Sequence, residues 1–373
     1  MQMLVKIPLV LLAVFFGFFS ILVTGCGEGS LSNPIDNDDL SVSENLNPEL
    51  SGRLFFSNGT KGTIVSKGSQ FSAWTMDIAN GNYLKISNTN WGEQKNRFPG
   101  NWTTVFTVPA DDYVGSEFLV EIPDCKNDPD RTCISIQDMN GNYLVQFEIF
   151  GDEYSFARLS PDLQNIALAN RKGAESWLEI YNRNGELLVS AKLESRFVRQ
   201  ISWLDTESII YSIGRTFYFT EPETLEIEST LVLPGSIVGD KINSFSVSPD
   251  RARLAFRVDG VPYVANIDGS QIRKLAKLFY SEVDVNNIVW SPDGLWILLT
   301  TKNIRTAGGP GGIIRSHNFI LPSENLGKVF VLSDQDALRS SEVRILRRYK
   351  SVEQNRISEI TTDVGLNDVT WLP

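Results

Sequence analysis

A motif recurs along this chain at nearly constant spacing, and that period restricts the fold more than any other feature. Ser160-Pro161-Asp162 precedes the apolar run Ile166 to Ala169, Ser248-Pro249-Asp250 precedes Leu254-Ala255-Phe256, and Trp290-Ser291-Pro292-Asp293-Gly294 precedes Ile297-Leu298-Leu299. Trp203-Leu204-Asp205 leads into Ile209-Ile210-Tyr211 with the same offset and a degraded motif. Asp162, Asp205, Asp250 and Asp293 are therefore separated by 43, 45 and 43 residues. The proline of each motif presets φ for a turn, and the aspartate after it can accept hydrogen bonds from nearby backbone donors.

A second landmark falls later in each unit. Asn80-Gly81, Asn140-Gly141, Asn184-Gly185 and Asp268-Gly269 each sit between short extended runs. Both central residues of such pairs tolerate positive φ, which suits tight hairpins. Each unit then reads as strand, proline-containing turn, strand, loop, strand, two-residue turn, strand, and a four-stranded antiparallel meander is the simplest result.

Ser-Pro-Asp-Gly before an apolar strand, followed by an extended segment ending in Asp-Gly or Asn-Gly, resembles the WD40-like repeat of TolB-like β-propellers. The match is sharpest at residues 245 to 300 and good at 156 to 190. The resemblance implies an all-β fold, a six-bladed β-propeller over residues 51 to 373. Its blades span about 52 to 95, 96 to 153, 154 to 196, 197 to 239, 240 to 283 and 284 to 366. The first blade shows three evident strands, and Asn367 to Pro373 resembles the opening strand of a unit. The expectation is that this C-terminal strand completes blade one and closes the ring, hiding sheet edges. Trp203, Trp290 and Trp371 are expected to fill the packing between blades rather than to stack a ligand.

The amino terminus concerns location, not fold, and is read apart. After Lys6, seventeen uncharged residues from Ile7 to Val23 run into Val23-Thr24-Gly25-Cys26. This resembles the lipobox of bacterial lipoprotein precursors, which implies a signal peptide at 1 to 25 and lipid on Cys26. An uncleaved anchor or plain secretion are the alternatives, because an apolar stretch of this length also suits a short membrane span. Several acyl chains hold a protein on a membrane where a single chain gives only reversible attachment. Gly27 stands where the family's inner-membrane retention signal places Asp, which favours an outer membrane in a cell that has one. Residues 26 to 50, rich in Ser, Asn, Asp, Glu, Gly and Pro, read as a flexible tether.

With 34 Lys plus Arg against 45 Asp plus Glu, the formal charge is -11, and no basic cluster offers a phosphate-backbone footprint. Nucleic acid is not an expected partner. Besides Cys26 the chain holds Cys125 and Cys133, which flank an Asp-rich segment. Outside the cytoplasm the plain reading is a disulfide across a hairpin tip. A cation site from Asp124, Asp128 and Asp130 is the alternative, since Ca2+ takes oxygen ligands. No other metal or cofactor is expected.

The last unit is longer than its period, with excursions at about 302 to 318 and 335 to 350. Loops on a rigid scaffold commonly hold binding residues. Arg305, Gly308, Gly309, Gly311, Gly312, Arg315, His317, Arg344, Arg347 and Arg348 are accordingly the candidate partner-binding residues. The glycine run lacks the Lys and Ser or Thr spacing of a nucleotide loop. His317 is the one histidine, which excludes sites needing two imidazoles, and no Gly-x-Ser-x-Gly elbow accompanies it. The functional expectation is a non-catalytic envelope lipoprotein that binds another envelope protein as a scaffold or assembly factor. The alternative is a carbohydrate-binding or carbohydrate-processing protein at the cell surface, in which two carboxylates across a ligand support acid-base chemistry.

Overall fold

The computed structural model describes residues 49–58, 72–79, 81, 83–85, 106–107, 117–123, 131–138, 143–150, 156–194, 198, 200–278, 284–302, 304–305, 314–315, 318–332, 342–346, 348–352, 356–361 and 367–372. All lie in the larger of the chain's two units, Val42–Pro373. Strands β1 (Arg53–Asn58), β2 (Ser72–Asp77) and β3 (Tyr83–Lys85) come first. A second sheet joins β4 (Phe106–Thr107), β5 (Glu117–Pro123), β6 (Arg131–Asp138) and β7 (Tyr143–Phe150). The third contains β8 (Phe156–Leu159), β9 (Asn165–Lys172), β10 (Glu175–Asn182) and β11 (Leu187–Leu193). The fourth contains β12 (Ile201–Trp203), β13 (Ile209–Ile213), β14 (Thr216–Thr220) and β15 (Ile227–Val232). The fifth contains β16 (Ile242–Val247), β17 (Arg253–Val258), β18 (Val261–Asn266) and β19 (Arg273–Lys274).

Beyond these lie β20 (Ala276–Leu278), β21 (Asp284–Trp290), β22 (Trp296–Lys302), β23 (Ile304–Arg305), β24 (Ile314–Arg315), β25 (Asn318–Pro322), β26 (Phe330–Leu332) and β27 (Arg344–Ile345). The sixth sheet is β21-β22-β25-β27, while β23 and β24 form a separate short hairpin. The chain ends with the hairpin β28 (Arg348–Val352) and β29 (Arg356–Thr361), then β30 (Asn367–Leu372). β30 lies antiparallel beside β1, with Arg53 opposite Leu372 and Leu54 opposite Trp371, so the first sheet has the order β3-β2-β1-β30.

The recurrent Ser-Pro-Asp motif makes the turn between the first two strands of the third, fifth and sixth sheets. Ser160 Oγ donates to Asp162 Oδ1 at 2.5 Å, and the same carboxylate oxygen accepts from the Gln164 N–H at 3.1 Å. Asn165 N–H donates to Ser160 Oγ at 2.8 Å. The pattern repeats at Ser248, Asp250, Ala252 and Arg253, and at Ser291, Asp293, Leu295 and Trp296. Each serine hydroxyl is buried and fully used, so the turn satisfies its own polar groups. The residue three after each serine, Leu163, Arg251 or Gly294, has φ near +60° (64°, 59° and 69°). The degraded unit has Leu204 in place of serine, and its turn is one residue tighter, with Leu204 N–H on Ser208 O at 2.9 Å where Ser291 N–H reaches Trp296 O five residues on.

The core consists of apolar layers, each shared by two sheets. Phe217 of the fourth sheet meets Phe245 and Phe256 of the fifth edge to face, with ring centroids 5.4 and 5.5 Å apart. Burying each ring contributes about 2–3 kcal/mol. Trp203 Nε1 donates across sheets to Arg158 O at 3.0 Å, and Trp290 Nε1 to Ser246 O at 3.1 Å. Gln200 clasps the backbone of Phe245 in both directions, at 2.7 and 2.9 Å. The two-residue turns also interlock: a Cβ on Gly185 would come 2.4 Å from Phe147 Cγ, and one on Gly269 would come 2.2 Å from Leu231 Cδ1. The glycine of one sheet's turn thus seats the last strand of the preceding sheet.

The expected closed six-bladed β-propeller is corrected by this arrangement. The described strands form separate sheets of two to four strands, none of them closed or strongly curled. Six sheets have four strands and three have two. The expected division into units also fails at its fifth boundary, because β20 pairs in parallel with β26, Ala276 opposite Phe330. The physical reason lies in range: turn chemistry specifies which neighbouring segments form hairpins, and does not specify how one sheet is oriented to the next. The expected Cys125–Cys133 disulfide is not carried further, since Cys125 and the Asp124, Asp128 and Asp130 set lie outside the described residues; Cys133 is buried in β6. Cys26 and the tether up to residue 48 also lie outside them. At the near end of the tether, Leu50 is already buried in the core layer that holds Trp371.

Candidate functional site

Of the expected partner-binding residues, Arg305, Arg315, Arg344 and Arg348 lie among the described ones. Arg305 and Arg315 stand at the base of the β23–β24 hairpin, paired with Ile314 and Ile304 respectively. Gly308, Gly309, Gly311, Gly312, His317 and Arg347 lie outside the described residues, and Arg348 opens β28. Arg344 is occupied within the chain: its guanidinium lies 5.7 Å from the Trp296 ring centroid and pairs with Glu49. It secures the segment entering β1 and is not a free contact.

A different surface stands out on the fourth sheet. Burial falls from its first strands to its last: Ile201, Trp203, Ile209, Ile210 and Tyr211 are buried, whereas five of the six β15 positions are exposed. Ile, Thr and Val suit β15 to a strand. Its inner face is used, because Leu231 rests on the Gly269 turn. Its edge carries Ile227 at 54 % exposure and Val232 at 63 %.

Immediately after β15 the chain is pinned. Arg215, in the turn before β14, donates through Nη2 to Pro234 O at 2.8 Å and Ile237 O at 2.9 Å, and through Nη1 to Gly239 O. Leu233 and Ile237 are buried beneath this clamp, so Val238 is left at the tip with 80 % exposure. The guanidinium matches three carbonyls that a loop would otherwise leave to water. A valine so exposed on a loop so fixed is a preorganised contact.

The chain around β15 is mostly acidic: residues 216 to 240 hold Glu221, Glu223, Glu226, Glu228 and Asp240 and no Lys or Arg, while Arg215 and Lys241 bound the run. The hairpin before β15 is closed internally, with Thr220 Oγ1 donating to Glu226 O at 2.6 Å and Leu225 N–H to Glu221 O at 2.8 Å. Backbone edge groups, aliphatic side chains and a negative field can recognise an extended polypeptide. The sequence of β15, Ile227-Glu228-Ser229-Thr230-Leu231-Val232, suits an extended strand, but its exposure depends on being last in its sheet.

A buried polar cluster in the third sheet was not anticipated either. Glu179, at 0 % exposure, accepts from Asn170 Nδ2 at 2.8 Å, Tyr181 OH at 3.1 Å and Lys172 Nζ at 2.5 Å. Burial raises the Tyr181 phenol well above its usual range, and the Glu179 charge and hydrogen bond add to it. The one sequence signal was a glutamate inside the apolar run of β10. With its carboxylate sealed from solvent, this cluster holds β9 and β10 together. Among the described residues, no group of three or more His, Cys, Asp or Glu side chains is placed to hold a metal.

No family model matches this chain, and no curated protein does. Among solved structures it is similar to a chain of hydrazine synthase from Kuenenia stuttgartiensis, with 13 % identity and a TM-score of 0.44. The match covers 62 % of this chain and 66 % of that one, just under two thirds. A likeness this loose carries no argument about function. The TolB-like resemblance is corrected here as well, for it finds support neither in a matching family nor in a closed ring of sheets.

Proposed function

We propose that this chain is a cell-envelope lipoprotein, held on a membrane by lipid on Cys26, that binds another envelope protein as a scaffold or assembly factor and is not itself an enzyme. The observation that carries the binding role is the exposed aliphatic row from Ile227 through Val232 to Val238, the last on a loop clamped by Arg215. Exposed apolar groups on a rigid frame favour a protein partner, because little conformational entropy remains to be lost on docking. The lipobox-like Val23-Thr24-Gly25-Cys26 supplies the location, and Gly27 favours an outer membrane where one exists.

Affinity capture from crosslinked envelopes tests the proposal, comparing the full lipidated chain with a Val238→Asp variant. Recovery of one or two stoichiometric proteins that disappear with the variant is the expected result. The same proteins with both chains would overturn the role given to the Val238 surface, and no protein while the chain binds a defined saccharide would overturn the proposal in favour of a carbohydrate role. Mass spectrometry of the mature amino terminus tests the anchor: an acylated Cys26 is expected, and an intact Met1 or a bare cysteine refutes it.

A further inference from the structure

We infer that the β15 edge takes a cationic, extended segment of the partner by strand addition, an inference that rests on the protein-binding reading above. Three features converge on that occupant. The first is the backbone. Leu233 N–H donates to Arg215 O at 3.0 Å, so alternation along the antiparallel pair turns the Leu231 groups toward β14 and the N–H and C=O of Thr230 and Val232 outward. Outward groups on a last strand are a template for one more strand. Six residues of β15 offer a length of about 20 Å, enough for a segment of similar length.

The second feature is charge, which selects between occupants. A second copy of this chain would bring the same excess of glutamates to the edge, which like-charge repulsion disfavours. The chain's formal charge of -11 adds to that repulsion. Acidic side chains on an edge serve as guards against self-pairing. A guard role alone, however, leaves Ile227, Val232 and Val238 exposed without purpose. A segment alternating Lys or Arg with aliphatic residues neutralises the glutamates and covers the aliphatics together.

The third feature is the fixed loop. With Arg215 bonded to three carbonyls, Val238 stands beyond the end of β15 as an apolar stop, which sets where the added strand finishes. The last strand of the third sheet differs from β15 in charge. β11 carries Lys192, already paired with Glu175, so its edge has mixed charge.

The test uses the full chain and a heptapeptide alternating Lys and Val, with a Glu and Val heptapeptide as control, read by hydrogen exchange. At a peptide concentration about ten times Kd, exchange at Thr230 and Val232 is expected to slow about tenfold. High salt should weaken this, and the control should not produce it. Thr230→Pro removes an outward N–H at an edge position that tolerates proline, and should abolish protection. Because that variant can disturb folding, Glu226→Lys combined with Glu228→Lys supplies a second reading, in which the preference between peptides reverses. Protection of another strand, protection of none, or an unchanged preference in the charge-inverted variant overturns the inference. Should envelope capture still lose its partner with Val238→Asp, the docking proposal survives and only the cationic-strand inference falls.

Discussion

The seating of turn glycines against neighbouring strands can be tested quantitatively at three positions that share a backbone conformation and differ in surroundings. Gly173, Gly185 and Gly269 have φ of 64°, 89° and 80°. Replacing any of them with Ala incurs the left-handed penalty of about 1–2 kcal/mol. At Gly173 nothing lies within 4 Å of the added Cβ, so that penalty is the whole cost. At Gly185 the Cβ would meet Phe147 Cγ at 2.4 Å and Phe147 Cβ at 2.7 Å, close to the backbone, where neither atom can swing away. Overpacking adds about 1–3 kcal/mol, for a total of roughly 2–5 kcal/mol. Gly269→Ala should fall between, because Leu231 Cδ1, at 2.2 Å, is the far end of a flexible side chain. Urea unfolding followed by tryptophan fluorescence provides the ranking. A Leu231→Ala background should return Gly269→Ala to the Gly173→Ala value, since the clashing atoms are gone. Equal costs at Gly173 and Gly185 would refute the interlocking of sheets through their turns.

Other outcomes follow from the buried polar groups. Glu179→Gln should cost about 3 kcal/mol, at the low end for a broken buried pair because Lys172 keeps partial access to water; an unchanged urea midpoint would contradict it. Trp203→Phe removes the bond to Arg158 O and should cost about 1 kcal/mol, measured in the same way. The Tyr211 phenol is pushed up to about 12, by burial first and then by Tyr218. Its folded pKa exceeds the ordinary value near 10, so its stabilising contribution is complete below pH 10 and disappears as pH rises through about 12. The melting temperature should therefore decline over that interval, and Tyr211→Phe should reduce the decline; a flat profile would show the phenol to be solvated.

The turns were the legible part of this fold. Ser160, Ser248 and Ser291, each with its aspartate, act within five residues, and chemistry of that range can be read from spacing alone. The relation between sheets was not legible in the same way. It depends on such contacts as Phe217 on Phe245, and on β20 reaching β26 in parallel, whose partners no local pattern announces. The candidate site was missed for a related reason. Long loops and a glycine run drew attention to residues 302 to 350, whereas β15 has the sequence of an ordinary half-buried strand. Its exposure arises because, among the described residues, no further strand lies beside it. Arg215 gave no signal either, since its three acceptors are backbone carbonyls.

The pairing of β1 with β30 also dictates an order of events. The tryptophan bonds between sheets span 45 and 44 residues, whereas the bond from Trp371 Nε1 to Ser51 O spans 320. Closing the longer loop costs about 2 kcal/mol more in chain entropy, near three doublings of length. Time weighs more than this difference. A chain made from its amino terminus offers β1 long before residues 367–372, so the β1 edge waits for its second neighbour while the intervening strands are made. During that interval it is an unpaired strand able to associate with the wrong chain. Folding of the intervening sheets can proceed sheet by sheet, but the first sheet is finished only once β30 has been made, and a chain released before that point keeps that edge open.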